Sequence, residues 1–183
     1  GLPQTVSHGT YVQDTYAWDK NGNLTNLTDT RGSVIQPRTR SMTYDARDRV
    51  ATTTYAYNGR TFNYGYDLLD NLRTTRETPG GRNHRHEYAA DGRLTRIVDP
   101  AAPSTAVIGY TYDARGNATS RTSATGFVPN ATSIIVDEAN RVRSATVGAD
   151  TETYTYDGLG RRTRVTMGAN TSMNFYSQAG QLL

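Results

Sequence analysis

A nine-residue phrase recurs along this chain, and its spacing limits the folds that the chain can adopt. In its clearest form, residues 110–118, it reads YTYDARGNA: two aromatic residues in alternate positions, an acid, and a glycine three residues after the acid. Versions begin near residues 16, 42, 64, 86, 110, 134, 154 and 174, so successive phrases are 26, 22, 22, 24, 24, 20 and 20 residues apart. Such a period is typical of stacked repeats, because one unit of this size cannot bury a core alone.

Each phrase predicts a strand that leads into a tight turn. Its first and third residues, such as Tyr154 and Tyr156, are two apart and therefore project from the same face of a strand. Threonine and aliphatic residues dominate the stretches that follow, as in LTNLTD and VATTTYAY, and these predict the returning strand. No long segment shows a 3.6-residue apolar period, so we predict no helix.

The acid and the glycine of the phrase are predicted to shape the turn itself. An aspartate that opens a type I turn can accept hydrogen bonds from backbone N–H groups two residues on. Three residues after the acid the chain needs a positive φ to rejoin the returning strand through a bulge, which suits glycine. The predicted turn residues are Asp19, Gly22, Asp45, Asp67, Gly92, Asp113, Gly116, Asp137, Asp157, Gly160 and Gly180. Asp48, Asp70 and Asn140 replace the glycine with side chains that tolerate a left-handed backbone.

These units predict an all-β fold, an array of about eight antiparallel hairpins in a curved, spiralling sheet. About 16 strands at about 4.8 Å each would make a sheet roughly 75 Å wide, and open sheets of that width curl. A hydrophobic fraction of 35% and a mean hydropathy of −0.70 agree with a thin sheet better than with a thick core. We predict one array over residues 1–183, with connectors at 79–81, 100–103 and 126–129. Since the first residue is Gly and not Met, we expect the chain to be a piece of a longer protein.

Charge and hydropathy argue against two classes of partner. The formal net charge is +3, but the arginines are scattered in ones and twos, so no specific nucleic-acid surface is predicted. No apolar run approaches the roughly 18 residues of a membrane-spanning helix.

The sequence predicts no catalytic, cofactor or metal site. No nucleophile elbow is present, and the four glutamates are too dispersed to nominate a pair of catalytic carboxylates. His84 and His86 would share a strand face, but the spacing provides no third metal ligand. Calcium-binding solenoids need a period near nine residues, which steps of 20 to 26 do not match. We therefore expect no enzymatic activity.

The phrase, written YDxxGN/RL, resembles the YD repeat of the RHS family, which includes bacterial RHS polymorphic toxins, the C component of Tc toxin complexes and the animal teneurins. The resemblance extends over nearly the whole chain from Tyr16, with departures at Ala89 and Ser177 in the acid position and at Val136 in the tyrosine position. It implies that the chain is an arc of a large hollow β shell. It also implies partners, namely the rest of the shell and an enclosed C-terminal toxin domain, and a bacterial protein that is secreted or at the cell surface.

Two functions of different classes follow. The first is a structural role in a shell that encapsulates or displays a toxin or effector domain. The second is a repeat module that binds carbohydrate or protein, because sugars can stack on exposed aromatic rings. The candidate residues for that stacking are Tyr16, Tyr64, Tyr110 and Tyr154. An isolated arc would also have two unpaired strand edges, so we expect edge-to-edge self-association.

Overall fold

The computed structural model of the chain describes residues 1–9, 12–29, 36–124 and 129–183. Sixteen strands lie in these ranges: β1 Thr5–His8, β2 Val12–Trp18, β3 Leu24–Asp29, β4 Arg40–Tyr44, β5 Val50–Tyr55, β6 Thr61–Tyr66, β7 Leu72–Thr78, β8 Asn83–Tyr88, β9 Leu94–Val98, β10 Ala106–Tyr112, β11 Ala118–Ser123, β12 Ala131–Val136, β13 Val142–Val147, β14 Asp150–Tyr156, β15 Arg162–Met167 and β16 Asn170–Met173. No helix occurs in these ranges, and thus none that could cross a membrane. The predicted all-β fold of antiparallel hairpins is confirmed. Of the predicted connector 126–129, only Pro129 is among the described residues.

Two compact units divide the chain, residues 1–86 and 87–183. Within the first unit, each strand pairs antiparallel with the next one along the chain, from β1 onward. Within the second unit, β9 to β16 follow the same rule. Strands that are neighbours in sequence are therefore neighbours in the sheet. The single array over 1–183 and its curvature stay predictions.

The register of six hairpins changes close to the phrase turn. In the hairpin of β10 and β11, Tyr112 pairs with Ala118 while Thr111 pairs with Ser120, so Thr119 is an extra residue on the returning strand. The same shift lies between Ala17 and Trp18, Thr43 and Tyr44, Gly65 and Tyr66, Ile135 and Val136, and Thr155 and Tyr156. A one-residue bulge bends a strand and increases its twist. These six hairpins therefore share one local geometry.

One face of the sheet, which we call the aromatic face, carries the phrase aromatics and a thin apolar core. Leu27 pairs with Tyr16 and is only 5% exposed, and Met42, the first residue of its phrase, is 7% exposed. Ile108 is buried two residues before Tyr110, on the same face. The buried apolar residues in the described ranges are Leu27, Met42, Val98, Ile108 and Ala131. So small a set fits a sheet that is one layer thick.

The opposite face, which we call the threonine face, is lined by hydroxyl groups. Thr43 and Thr52 are direct partners across β4 and β5, and their hydroxyl oxygens are 2.7 Å apart. The hydroxyls of Thr111 and Ser120 are also 2.7 Å apart. Further cross-strand pairs are Thr54 with Thr61, Thr146 with Thr151, and Thr166 with Thr171. These pairs stabilise the sheet from the face that carries few apolar side chains.

Candidate functional site

The phrase turn is the recurring feature with the most side-chain hydrogen bonds. Its aspartate accepts hydrogen bonds from residues of its own turn. In the best-formed copy, Asp113 Oδ1 accepts hydrogen bonds from the backbone N–H groups of Arg115 at 2.9 Å and Asn117 at 2.8 Å. Its carbonyl oxygen accepts from the N–H of Gly116 at 3.1 Å. Asp19, Asp45, Asp67, Asp137 and Asp157 make the equivalent three bonds.

The position three residues after the acid has a positive φ in all eight turns. The glycines there are Gly22, Gly92, Gly116, Gly160 and Gly180, with φ between 78° and 91°. Asp48, Asp70 and Asn140 occupy the position in the other three turns, with φ of 57°, 65° and 58°. A branched side chain would be strained in this left-handed conformation, which explains the choice of residues.

Two phrases lack the acid and form the turn by other means. In the phrase that has Ala89 in place of the acid, the N–H of Ala89 donates to the carbonyl of Arg93, and the N–H of Gly92 donates to the carbonyl of Ala89. In the last phrase, Ser177 replaces the acid, and its hydroxyl accepts the N–H of Gln181 at 3.1 Å. Backbone geometry is therefore kept even where the carboxylate is absent.

The pKa of the carboxyl group is lowered in each of the six turn aspartates. The largest cause at Asp113 is the hydrogen bond from the Asn117 side chain, and at Asp45 it is the bond from the Arg49 side chain. The residue four positions on also supplies the largest cause, through its side chain or its backbone N–H, at Asp19, Asp67, Asp137 and Asp157. Each carboxylate stays ionised as a turn acceptor, which makes it a poor general base.

Consecutive turns are joined by contacts that we call the seam, and its first element is the phrase tyrosine. The hydroxyl of Tyr112 donates to the carbonyl of Leu94, the second residue after the glycine of the preceding turn, at 2.7 Å. The same bond joins Tyr44 to Leu24, Tyr66 to Val50, Tyr156 to Val142 and Tyr176 to Arg162, at 2.7 to 3.0 Å. In the first phrase, the indole N–H of Trp18 donates to the carbonyl of Pro3 at 2.9 Å.

This bond was not predicted from the sequence, where the tyrosine was considered only for its aromatic ring. The signal that could have found it is the composition, 13 tyrosines against 3 phenylalanines. A ring that served only for burial would be replaced freely by phenylalanine, so the excess of hydroxyls indicates a hydrogen-bonding role.

The second element of the seam is the residue directly after the glycine position. Asn23 Nδ2 donates to its own turn at Asp19 Oδ2, 3.1 Å away, and to the next turn at Asp48 Oδ1, 2.7 Å away. Arg49 likewise joins Asp45 to Asp70, and Asn117 joins Asp113 to Asn140. Asp48, Asp70 and Asn140 are thus more than substitutes for glycine, because each accepts a bond from the preceding turn.

The third element is an arginine that lies over the tyrosine of the next repeat. The guanidinium carbon of Arg49 is 4.6 Å from the ring centre of Tyr66, a separation at which a cation attracts an aromatic face. Arg93 lies over Tyr112, Arg141 over Tyr156 and Arg161 over Tyr176, at 4.9 to 5.9 Å. Where the next turn has Gly116, a Cβ atom there would lie 3.0 Å from the Arg93 guanidinium. Glycine therefore also leaves room for the arginine.

The four tyrosines considered for sugar stacking are half-buried, and each lies in a different hairpin. The hydroxyl of Tyr154 donates to Glu152 at 2.6 Å, and its ring lies under Arg162 at 4.3 Å. Tyr16 stacks on Trp18 and Tyr110 on Tyr112, with ring centres 6.2 and 6.5 Å apart. Tyr64 lies on the same face of β6 as Tyr66.

The histidines do not form a metal cluster within the described residues. His86 is 8% exposed, and burial is the main reason why the pKa of its imidazole is lowered. No group of three or more potential ligands from His, Cys, Asp and Glu is found in the part of the chain that the structure describes.

Two comparisons with known proteins give matches. The family model described as RHS Repeat matches twice, over residues 18–57 and 88–128. The crystal structure of TcdB2-TccC3-TEV is similar with a TM-score of 0.50 at 15% identity, over 94% of this chain and 11% of that chain. TcdB2-TccC3 without its hypervariable C-terminal region is similar with a TM-score of 0.47 at 20% identity, over 93% of this chain and 9% of that chain.

The chain spans only about a tenth of the length of these structures. At 15% identity, the likeness to TcdB2-TccC3-TEV is one of fold. No curated protein sequence matches the chain.

Proposed function

We propose that the repeats of this chain, which the RHS Repeat model matches over residues 18–57 and 88–128, form a structural segment in the wall of a hollow β shell that encapsulates or displays a toxin or effector domain. The observation that carries this proposal is the use of the phrase residues. The aspartate closes its own turn, while the tyrosine and the residue after the glycine hold the neighbouring repeat. All three therefore act in construction, which supports a structural role for the phrase.

A wall of this kind needs each repeat to be fixed to the next, and the seam meets that need. The tyrosine hydrogen bond contributes about 0.5–1.5 kcal/mol at each repeat, a typical net value for such a bond. In repeat proteins, stability is approximately the sum of unit terms and nearest-neighbour terms. A seam repeated at every turn thus lets a thin sheet with few buried apolar residues extend over many units.

On this proposal the chain has no active site of its own. Its partners are the remaining repeats of the shell and the enclosed toxin domain, and the parent is a bacterial protein that is secreted or at the cell surface. The similarity in fold to TcdB2-TccC3-TEV supports membership of a larger assembly, because that chain is about nine times longer than the aligned region.

The alternative, a module that binds carbohydrate or protein through Tyr16, Tyr64, Tyr110 and Tyr154, stays a prediction. Sugars stack on open ring faces, whereas these rings are half-buried and one is covered by an arginine. This arrangement favours the structural role. Micromolar binding of a glycan that is lost on Tyr→Ala substitution at these four positions would reverse that preference.

Protease protection in the full-length protein tests encapsulation. A protease recognition sequence is placed in the polypeptide that follows the repeats, and the same sequence is placed in the exposed loop 100–103 as a control. We expect the loop site to be cut rapidly and the following site to resist cleavage until the shell is opened by mild denaturant. Equal cleavage rates at the two sites in the native protein would contradict the proposal.

A further inference from the structure

A cleft of about 250 Å³ opens in the first unit, at the end of the sheet opposite the phrase turns. Tyr55, Tyr57 and Phe62 supply three aromatic rings to its lining, and we call it the aromatic cleft. Tyr55 ends β5, Phe62 lies in β6, and Tyr57 belongs to the connector between these two strands. The seam uses none of these residues, so it does not account for the three rings.

The three rings stand nearly at right angles and form walls of the cleft. The ring of Phe62 is 5.9 Å from that of Tyr55, centre to centre, at an interplanar angle of 81°. The ring of Tyr57 is 6.4 Å from that of Tyr55 at an angle of 85°. Tyr57 is 52% exposed, so much of its ring is accessible from solvent. An accessible aromatic ring can pack against the C–H face of a sugar.

A buried ion pair also belongs to the lining of the cleft. Glu77, the cross-strand partner of Phe62, is 6% exposed and accepts a hydrogen bond from the guanidinium of Arg60. Its second carboxylate oxygen accepts the backbone N–H of Arg82 at 3.4 Å. Because the Arg60 guanidinium already neutralises this carboxylate, the rings do not form a cage that lacks a cation. A cationic ligand is therefore disfavoured.

The remaining polar groups of the lining favour a ligand with a negative charge and hydroxyl groups. Two guanidinium groups, of Arg60 and Arg82, line the cleft against one carboxylate, which leaves an excess of one positive charge. Arg60 has N–H groups beyond the one that binds the carboxylate. Oδ1 of Asn58 accepts the backbone N–H of Arg60 at 3.0 Å, while Nδ2 makes no hydrogen bond to a described residue. The hydroxyls of Tyr55 and Tyr57 likewise make none within the described residues.

We propose that the aromatic cleft binds a hexuronic acid residue, which is a sugar ring that carries a carboxylate. The C–H face of the sugar packs on Tyr57, and the carboxylate accepts hydrogen bonds from Arg60 and from Nδ2 of Asn58. Sites for drug-sized ligands measure roughly 300–1,000 Å³, so a cleft of about 250 Å³ takes a single sugar ring. The four tyrosines of the alternative module do not line this cleft, and the proposal is independent of encapsulation.

Titration of the isotope-labelled chain with matched small molecules, followed by amide chemical shifts, tests the ligand chemistry. D-glucuronate is the probe, D-glucose is the same ring without the carboxylate, and benzoate is a ring with a carboxylate but no hydroxyls. We expect glucuronate to bind with a dissociation constant of about 1 mM, typical of so small a ligand, and to shift amides of residues 55–62 and 77–82. Glucose and benzoate should each bind at least ten-fold more weakly.

The other outcomes of this titration would overturn the proposal. Equal binding of glucose would show that the arginines do not select a carboxylate, and tighter binding of benzoate would exclude a sugar. Glucuronate that binds without shifts in residues 55–62 would place the sugar elsewhere. No binding of glucuronate would also overturn the proposal, while it would leave the structural role in a shell untouched.

Two variants at the surface of the cleft test the assignment of its residues. Tyr57→Ala removes the exposed ring and should weaken glucuronate binding at least ten-fold. Asn58→Asp keeps the oxygen that accepts the N–H of Arg60 but replaces the amide donor with a negative charge, so it should weaken glucuronate at least ten-fold and glucose little. Phe175→Ala, which removes a ring that is 65% exposed in the second unit, is the control and should bind as the unmodified chain does. Unchanged affinity in both cleft variants, with a native circular dichroism spectrum, would overturn the proposal.

Discussion

Removing the hydroxyl of Tyr112 isolates the tyrosine bond of the seam from the other contacts of the ring. Tyr112→Phe keeps the ring beside Tyr110 at 6.5 Å and under Arg93 at 5.9 Å, but it removes the donor to the carbonyl of Leu94. A hydrogen bond contributes about 0.5–1.5 kcal/mol net, and Leu94 is half-buried, so water can replace the lost donor in part. We expect the free energy of unfolding to fall by about 1 kcal/mol. For a chain of this length that lowers the thermal midpoint by about 2–4 °C.

Urea unfolding followed by far-ultraviolet circular dichroism measures this change, with Tyr110→Phe as the matched control. Tyr110 lies in the same strand, and its hydroxyl makes no hydrogen bond to a described residue. Combining Tyr112→Phe with Tyr156→Phe breaks two separate seams, so the losses should add to about 2 kcal/mol. If Tyr112→Phe and Tyr110→Phe agree within about 0.3 kcal/mol, the seam bond does not stabilise the sheet and the reasoning is refuted.

Three further predictions concern the turns and the buried histidine. Gly160→Val should destabilise the chain by about 1–2 kcal/mol or more, because φ at this position is +78°. Gly158→Ala in the same turn is the control and should have little effect on stability, and an unchanged thermal midpoint for Gly160→Val would count against the turn geometry. The pKa of the turn aspartates is lowered on folding, so their contribution to stability should be constant above about pH 4 and be lost at lower pH, where the free energy of unfolding should fall less steeply in Asp113→Asn. Urea midpoints at pH 7, 4 and 3 measure this, and an identical acid dependence of the variant would contradict it. Burial lowers the pKa of His86, so protonation of its imidazole favours the unfolded chain. The resulting loss of stability should begin as the pH falls below about 6.5 and should be absent in His86→Gln, as urea midpoints of the two chains over the same pH values will show.

Features that depend on residues within one phrase could be predicted from the sequence. The alternation of Tyr110 and Tyr112 marks a strand, and an acid followed by a glycine three residues later marks a turn, because both patterns reflect local backbone geometry. The recurrence of this pattern was sufficient for the all-β hairpin fold, which the structure confirms. The same reasoning explains why Asp48 was expected to tolerate a left-handed backbone.

The seam could not be predicted in the same way, because its partners lie in different repeats. Tyr44 donates to a carbonyl 20 residues earlier, and every residue has a carbonyl, so the acceptor leaves no mark in the sequence. Asn23 and Asp48 are 25 residues apart, and their contact depends on how two turns lie beside each other. The second role of Asp48 therefore becomes visible only once the strand order is known.

We infer that the phrase tyrosine holds the preceding repeat and not its own turn. Amide hydrogen exchange of Tyr156→Phe tests it most directly, since Tyr156 donates to Val142 at the start of β13. We predict faster exchange in Val142–Val147, with the turn amides at 159–161 unchanged. Faster exchange confined to residues 157–161, or no change in either segment, would contradict the claim.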